Sequence, residues 1–223
     1  MSLSDPSPLI PAATVILLRD GASGPEVLML RRNKSLKAFG GVWVFPGGRV
    51  DAADAPGADE ITRARATAVR ETSEETGLDI SGEDFAVLSK WIPPVQEKRR
   101  FATWFFVARA PDMDVVIDDG EIHDFRWIGV KEAVELTPNA EMRIMPPTYV
   151  SLHSLMSFPD VETAIDGVHA LEPELFETRF TQAEGGFMTL WPGDCAYDSL
   201  DLSMSGQKRR LFAGAEHWDY QTG

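Results

Sequence analysis

The strongest pattern in the 223-residue chain is Arg70-Glu71-Thr72-Ser73-Glu74-Glu75-Thr76-Gly77-Leu78. Three of its carboxylates, Glu71, Glu74 and Glu75, have the spacing i, i+3 and i+4, which places them on one face of an α-helix. Like charges one turn apart destabilise a helix by about 0.2–0.5 kcal/mol per pair. A hard cation such as Mg²⁺ or Mn²⁺ removes this repulsion, because it prefers oxygen ligands. The stretch is therefore either a metal site or a solvated acidic helix face.

Composition limits the classes of protein. The chain has 43% hydrophobic and 25% charged residues, and its length fits one domain. Its net charge of −14 argues against binding long nucleic acid. The single cysteine, Cys195, excludes an internal disulfide, fits a reducing compartment and is interpreted as a small packed residue. We see no membrane span and no secretory pattern in residues 1–11, so we expect a cytoplasmic protein without a membrane partner.

Local patterns predict strands interspersed with a few helices. Residues 1–11 contain three prolines and three serines and are expected to form a flexible arm. Asp59 or Thr62 is expected to begin the first helix, and Gly77 to end it in the left-handed conformation. Strands are predicted at 12–19, 26–32, 42–45, 85–91, 101–108 and 124–128, and short strands within 175–223. Helices are predicted at 61–76, 131–136, 149–158 and 160–171, with Pro146-Pro147-Thr148 as the start of the third.

The sequence also predicts two turns and two groups of basic residues. Pro46-Gly47-Gly48 follows a short apolar run and predicts a sharp turn. Asp118-Asp119-Gly120 predicts another turn. Basic residues that could hold a small anion fall into two groups: Arg31, Arg32, Lys34 and Lys37, and then Lys98, Arg99 and Arg100.

The glycine pair and the acidic stretch together resemble the signature of the Nudix hydrolases. That signature is Gly, five residues, Glu, seven residues, Arg-Glu, an aliphatic residue, any residue, Glu-Glu, any residue, Gly and an aliphatic residue. Its second half matches Arg70-Glu71-x-x-Glu74-Glu75-x-Gly77-Leu78 except at Thr72, which replaces an aliphatic residue.

The first half of the signature departs from the family. Gly48 lies 22 residues before Arg70, where the family pattern has 14, so the loop carries about eight extra residues. Counted back from Arg70, the early glutamate would fall at Thr62, and Glu60 is close but off register. The resemblance gives that glutamate a structural or accessory part.

A narrower resemblance is to the branch that includes the peroxisomal coenzyme A diphosphatases. The long loop rich in Ala and Asp is also similar to that branch. The other residues that carry this resemblance are Leu30-Arg31-Arg32, Leu36, Gly40-Gly41, the run from Trp43 to Asp51, Asp54, Pro146-Pro147-Thr148 and Pro192-Gly193-Asp194.

The Nudix resemblance implies roles for particular residues. Arg70 would orient a carboxylate, Glu74 would be a further ligand or the base, and Glu121, with Glu97 as the alternative, would be a later catalytic carboxylate. The implied metal ligands are Glu71, Glu75 and Glu74 with a carbonyl of Gly47 or Gly48. Arg31, Arg32 and Arg49 could bind a substrate phosphate, since Arg offers bidentate donors, or form ordinary surface salt bridges.

The resemblance implies an α/β (α+β) fold with a mixed sheet between helices. It divides the chain into an arm (1–11), a Nudix core (12–137) and a C-terminal extension of helices and short strands packed on the core (138–223). The implied function is Mg²⁺- or Mn²⁺-dependent hydrolysis of a nucleoside diphosphate linked to another group, with coenzyme A or acyl-coenzyme A favoured. ADP-ribose or NADH, or a non-catalytic nucleotide-sensing module, are the alternatives. The partner is a small nucleotide derivative, and a homodimer is left open.

Overall fold

A mixed β-sheet with helices on both faces forms the framework of the protein. The computed structural model describes residues 7–36, 39–117, 120–137 and 142–223. The helices are α1 (Glu60–Thr76), α2 (Val130–Leu136), α3 (Pro146–Leu155) and α4 (Val161–His169). The strands are β1 (Leu9–Gly21), β2 (Gly24–Arg32), β3 (Trp43–Val44), β4 (Gly47–Arg49), β5 (Ala86–Ile92), β6 (Arg100–Arg109), β7 (Ile122–Gly129), β8 (Glu174–Glu177), β9 (Arg179–Ala183), β10 (Gly186–Leu190), β11 (Arg209–Gly214) and β12 (Trp218–Thr222).

The main sheet contains both parallel and antiparallel pairs. Its order is β3-β2-β1-β6-β5-β8, while β4 also pairs with β1 and β7 also pairs with β2. The β1–β6 and β5–β8 pairs are parallel, and the others are antiparallel. β6 lies inside the sheet between β1 and β5, a position that suits its continuous apolar run. The structure confirms the predicted α/β class with a mixed sheet.

Two hydrophobic clusters cover the two faces of this sheet. Ala64 and Ala68 of α1 pack on one face, against residues such as Leu28 and Phe106. This small-residue stripe lets α1 lie close to the sheet. The other face packs against α2, α3 and α4, which contribute residues such as Val134, Leu152 and Val168. Among the described helices, α1 alone covers its side of the sheet.

The structure confirms a predicted turn and a predicted helix start, and it moves the start of one strand. β1 begins at Leu9, so the strand includes the last residues of the predicted arm. The chain reverses direction between β3 and β4, as Pro46-Gly47-Gly48 predicted, and the two glycines then pair with Ala13 and Thr14 of β1 because glycine lets the two backbones approach closely. α3 begins at Pro146, as Pro146-Pro147-Thr148 predicted. The predictions for residues 1–6, Lys37 and Asp118-Asp119, and the boundary at 137/138, concern residues outside the described ranges.

The C-terminal residues contribute to the main sheet and form a second one. β8 pairs with β5, whereas β9 to β12 form a separate four-stranded antiparallel sheet. Within the main sheet, Phe176 of β8 stacks on its neighbour Trp91 of β5 with ring centroids 4.0 Å apart, and Trp191, which follows β10, packs edge-on against both. In the described part of the chain, no helix has the length and apolar character that a bilayer crossing requires.

Candidate active site

Local sequence fixes the length and position of α1. Asp59 is the N-cap, and its Oδ1 accepts a hydrogen bond of 2.8 Å from the backbone N–H of Thr62. Gly77 ends the helix with φ 68° and donates to the carbonyl of Ser73 at 2.9 Å. Because Ala64 and Ala68 face the sheet, the C-terminal half of α1 presents its glutamates to β4.

Two glutamates of α1 contact the glycine pair of β4. The backbone N–H of Gly47 donates to Glu75 Oε2 at 3.0 Å. A Cβ atom on Gly48 would lie 2.3 Å from Glu71 Oε1, and one on Gly47 would lie 2.3 Å from the carbonyl oxygen of Ala13. Only glycine at both positions lets the strand lie between β1 and the carboxylates.

The three glutamates of the acidic stretch have different surroundings. Glu75 is 6% exposed, the Glu71 side chain is 18% exposed and that of Glu74 is 59% exposed. Burial raises the pKa of Glu75 to about 8; the Gly47 hydrogen bond opposes this, and the charge of Glu71 adds to it. Burial also raises the pKa of Glu71, against the effect of its hydrogen bond from Arg70. Glu71 and Glu75 therefore form the sheltered part of the site, and Glu74 its solvent edge.

Glu121 and Arg32 lie beside these glutamates. Arg32 Nη2 donates to Glu121 Oε2 at 3.1 Å, and the backbone N–H of Asn33 donates to the Glu121 carbonyl at 2.7 Å. The charge of Glu121 raises the pKa of Glu75 and that of Arg32 lowers it, so both lie within electrostatic reach of Glu75. Glu97 is exposed on the loop between β5 and β6, and its described contacts do not include these groups.

The structure does not bring the three predicted phosphate-binding arginines together. Arg31 and Arg32 are consecutive in β2 and their side chains lie on opposite faces of the sheet. Arg31 lies over Trp43, which packs on the side of α2, α3 and α4. The side chain of Arg49 is exposed, while its carbonyl accepts a hydrogen bond of 3.3 Å from Arg70.

Arg70 is held mainly by a residue that the sequence analysis had not assigned to it. Its Nε and Nη2 donate to Oδ1 and Oδ2 of Asp54 at 2.8 and 2.9 Å, and its Nη1 donates to Glu71 at 2.9 Å and Glu74 at 3.1 Å. Asp54 is buried and also accepts from Thr67 Oγ1 at 2.8 Å. The hydrogen bonds from Arg70 hold the pKa of Asp54 well below its usual range, and those to Asp54 raise the pKa of Arg70.

Asp54 corrects the register predicted for the first half of the signature. Five residues separate Gly48 from Asp54, which is the family spacing from Gly to Glu, so the extra residues lie between Asp54 and α1. Thr62 is instead exposed in the first turn of α1, and Glu60 pairs with Lys90 at 2.6 Å. Counting forward from Gly48, and not back from Arg70, would have found the acidic residue.

Thr72 lies on the buried side of α1. It is 0% exposed, and its Oγ1 has no hydrogen-bond partner among the described residues. The position is buried, as the aliphatic residue of the family signature implies, and the Thr72 hydroxyl forms no hydrogen bond to a described residue there.

The donor set of this site suits a hard divalent cation. The oxygens of Glu71, Glu75 and Glu121 and the glycine backbone are the ligand types that Mg²⁺ and Mn²⁺ prefer. Across the described ranges, however, no three His, Cys, Asp or Glu side chains meet closely enough to enclose an ion. Arg70 accounts for part of this, because it holds Glu71 and Glu74 by direct ion pairs. Arg70 bonds only Oε1 of Glu71 and Oε2 of Glu74, so the second oxygen of each carboxylate suits a cation without loss of these ion pairs.

Comparison with protein-family models identifies the family of the chain. The model of the NUDIX domain matches residues 8–148, which include β4, α1 and Glu121. The chain belongs to the Nudix family. It is a hydrolase of pyrophosphate bonds, and Nudix hydrolases generally use divalent metals and act on small nucleotide derivatives.

Individual relatives carry several different activities in their names. A nudix hydrolase of Caenorhabditis elegans is 25% identical over 77% of this chain and 70% of its own. A peroxisomal coenzyme A diphosphatase of the same organism is 30% identical over 60% of this chain and 54% of its own length. A rat bis(5'-nucleosyl)-tetraphosphatase is 33% identical over 48% of this chain and 71% of its own length. The crystal structure of a NUDIX hydrolase from Alicyclobacillus acidocaldarius has the same fold, with a TM-score of 0.65 at 21% identity over 72% of this chain and 96% of that one.

Proposed function

We propose that this Nudix hydrolase cleaves the diphosphate linkage of coenzyme A or of an acyl-coenzyme A. The support is the motif around Leu30-Arg31-Arg32 and Trp43–Asp51, together with similarity to two proteins named as coenzyme A and acyl-coenzyme A diphosphatases. The chain spans 54% and 36% of the lengths of those two relatives. The substrate is therefore a proposal that rests on a shared Nudix region.

The observation that carries the hydrolytic site is the contact of Glu71 and Glu75 with Gly48 and Gly47. In our proposal the two glutamates, with a glycine carbonyl, hold the divalent cation, and Glu74 lies at the rim. A cation bound there would neutralise phosphate charge and lower the pKa of a coordinated water. Arg70, fixed by Asp54, sets the orientation of Glu71 and Glu74.

The proposed reaction is attack of water on one phosphorus of the diphosphate. The bond from that phosphorus to the bridging oxygen breaks, and the leaving phosphate keeps the electron pair. A carboxylate at the rim, Glu74 or Glu121, accepts the proton of the water. Arg32 is placed to bind a phosphate oxygen, because it lies on the face of the glutamates with 21% of its side chain exposed.

The alternatives are other diphosphates of the same chemical type. ADP-ribose and NADH contain the same linkage, and the rat tetraphosphatase relative favours adding a dinucleoside polyphosphate to the comparison. The non-catalytic sensor is not retained, because the chain belongs to a family of hydrolases and keeps Glu71, Glu74 and Glu75. The cytoplasmic location and the homodimer stay predictions.

A substrate panel tests the proposal. Coenzyme A, an acyl-coenzyme A, ADP-ribose, NADH and diadenosine tetraphosphate would be assayed with Mg²⁺ and with Mn²⁺. We expect kcat/KM for coenzyme A or the acyl-coenzyme A to exceed that of the others by about tenfold or more, a difference of ~1.4 kcal/mol. Preference for ADP-ribose, NADH or the tetraphosphate would overturn the substrate and leave the hydrolase class intact. The Glu75→Gln variant controls for contaminating hydrolases.

A further inference from the structure

Arg31 and Arg126 share one aromatic ring on the face of the sheet away from the catalytic glutamates. The Cζ atom of Arg31 lies 5.7 Å from the centroid of the Trp43 ring, and that of Arg126 lies 5.8 Å from it. Trp43 is 5% exposed and packs into the core beneath α2, α3 and α4. Guanidinium groups are attracted to an indole face at such distances, so the ring holds both cations in place.

Strand register explains why the two arginines meet. Arg31 of β2 is paired with Trp43 on one side and with Asp124 of β7 on the other, while Arg126 is paired with Met29. Paired residues, and residues two apart in a strand, lie on the same face. Arg126 is thus the diagonal neighbour of Arg31 across the β2–β7 pair, a separation that long side chains can bridge.

No acid of the described residues is paired with either of these two positive charges. Within the described ranges, neither Arg31 nor Arg126 forms an ion pair or a hydrogen bond, although Asp124 is the cross-strand neighbour of Arg31. The Nε of Arg31 is buried and has no partner in those ranges. In contrast, six other arginines each pair with a carboxylate: Arg19, Arg32, Arg70, Arg109, Arg209 and Arg210.

The two positive charges at this ring repel each other, and no described carboxylate forms an ion pair that would offset the repulsion. The chain has a net charge of −14, so carboxylates are abundant, yet none is paired with either cation among the described residues. An anion with several oxygens would satisfy both groups, because each guanidinium can donate two parallel hydrogen bonds to phosphate. Since the Nε of Arg31 is buried, the terminal nitrogens of the two guanidinium groups would be the donors.

We propose that Arg31 and Arg126 form a second anion site, on the face opposite the hydrolytic glutamates, that binds a phosphate or phosphomonoester dianion. Trp43 supplies the flat base of this site, and the two guanidinium groups supply its donors. The site is separate from the proposed position of the scissile diphosphate, with Arg32 and the glutamates on the other face.

Isothermal titration with inorganic phosphate tests the site directly. EDTA would be present, so that the catalytic carboxylates, without a cation, repel the anion. We expect binding to the unaltered protein and at least tenfold weaker binding to Arg126→Gln, whose side chain is exposed and whose loss should leave the fold intact. Arg31→Gln should act in the same direction. Arg109→Gln removes one exposed positive charge from the end of β6 and should leave binding unchanged.

Absence of phosphate binding to the unaltered protein, or equal loss in Arg109→Gln, would overturn the proposal. If binding depends on Arg126, kinetics would identify the source of the anion. A change in the KM ratio between coenzyme A and its 3′-dephospho form in Arg126→Gln would place a substrate phosphate in the site. An unchanged ratio would assign the site to a free phosphate. Since the titration needs no hydrolysis, it is independent of the proposed substrate.

Discussion

Two Arg–Asp ion pairs, one in the catalytic half of the molecule and one in the C-terminal half, have the same two-pronged geometry but different roles. Arg70 binds Asp54 through two hydrogen bonds and still donates to Glu71 and Glu74, with 30% of its side chain exposed. Arg210 binds Asp194 in the same two-pronged manner, with side-chain exposures of 3% and 0%.

The two ion pairs differ in the net charge of the side chains around the guanidinium. Around Arg70, three carboxylates share one guanidinium, so a negative excess faces Glu75 and the glycine strand. Around Arg210, one carboxylate meets one guanidinium, and Asp194 also accepts backbone N–H groups of Ala196 and Arg209 at 2.8 Å each. The first pair therefore orders residues for a cation, while the second closes a turn.

The largest expected effect is on the catalytic side. Glu75→Gln should lower kcat by about 10³-fold, or ~4 kcal/mol, because it removes a charged ligand from the site. The thermal midpoint should not fall, since a carboxylate whose pKa is raised by burial is replaced by a neutral amide. Undiminished Mg²⁺-dependent activity would refute the assignment of the metal site. Glu83→Gln, at an exposed position, is the matched control.

On the structural side, Asp194→Asn should destabilise the protein by about 3 kcal/mol, because it leaves the guanidinium of Arg210 buried without its counter-charge. Urea unfolding would measure the loss. For the folded enzyme, kcat should be unchanged. A tenfold loss of kcat in a variant that remains folded would show that the two halves are coupled.

Acid should weaken the same pair. Burial raises the pKa of Asp194, but hydrogen bonds from Arg210 and from two backbone N–H groups outweigh burial and place it below the usual value. The ionised form therefore stabilises the fold above the unfolded pKa of about 3.9, and this contribution disappears as the pH falls through the folded value. The stability difference between the unaltered protein and Asp194→Asn should shrink below pH 4. A constant difference would contradict this linkage.

Asp54→Asn should have an intermediate effect on catalysis. Loss of the charge that fixes Arg70 should lower kcat by about 10- to 100-fold and raise the Mg²⁺ concentration needed for half-maximal rate. The metal titration separates positioning from stability, since a purely structural role would leave the Mg²⁺ dependence unchanged. Asp51→Asn, in the same loop, is the control.

The smallest expected effect is an increase in the free energy of unfolding. Thr72→Val should stabilise the protein by about 1 kcal/mol, because it replaces a buried hydroxyl without a partner in the described residues by a methyl group. Thr67→Val is the matched opposite: Thr67 Oγ1 bonds Asp54 and the carbonyl of Arg63, so its loss should destabilise. Equal effects of the two changes in urea would show that the hydroxyl of Thr72 is satisfied in solution.

Local patterns predicted α1 well, and pairings between distant segments poorly. Asp59, Gly77 and the alanine stripe act within a few residues, so spacing alone located the helix and its caps. The partner of Arg70 was missed because the extra residues between Asp54 and α1 hide a contact that closes only in three dimensions. For Arg31 and Arg32 the sequence showed two adjacent positive charges, whereas strand alternation sends them to opposite faces.

β8 has a consequence for how shorter forms of the chain would behave. The strand comes from residues 174–177, after the end of the family match at 148, yet it completes the main sheet beside β5. A chain shortened to the family region would bare the backbone of β5 and the face of Trp91 that Phe176 now covers. Bare strands of this kind recruit other chains, so such a fragment would tend to aggregate before its catalytic residues could be assayed.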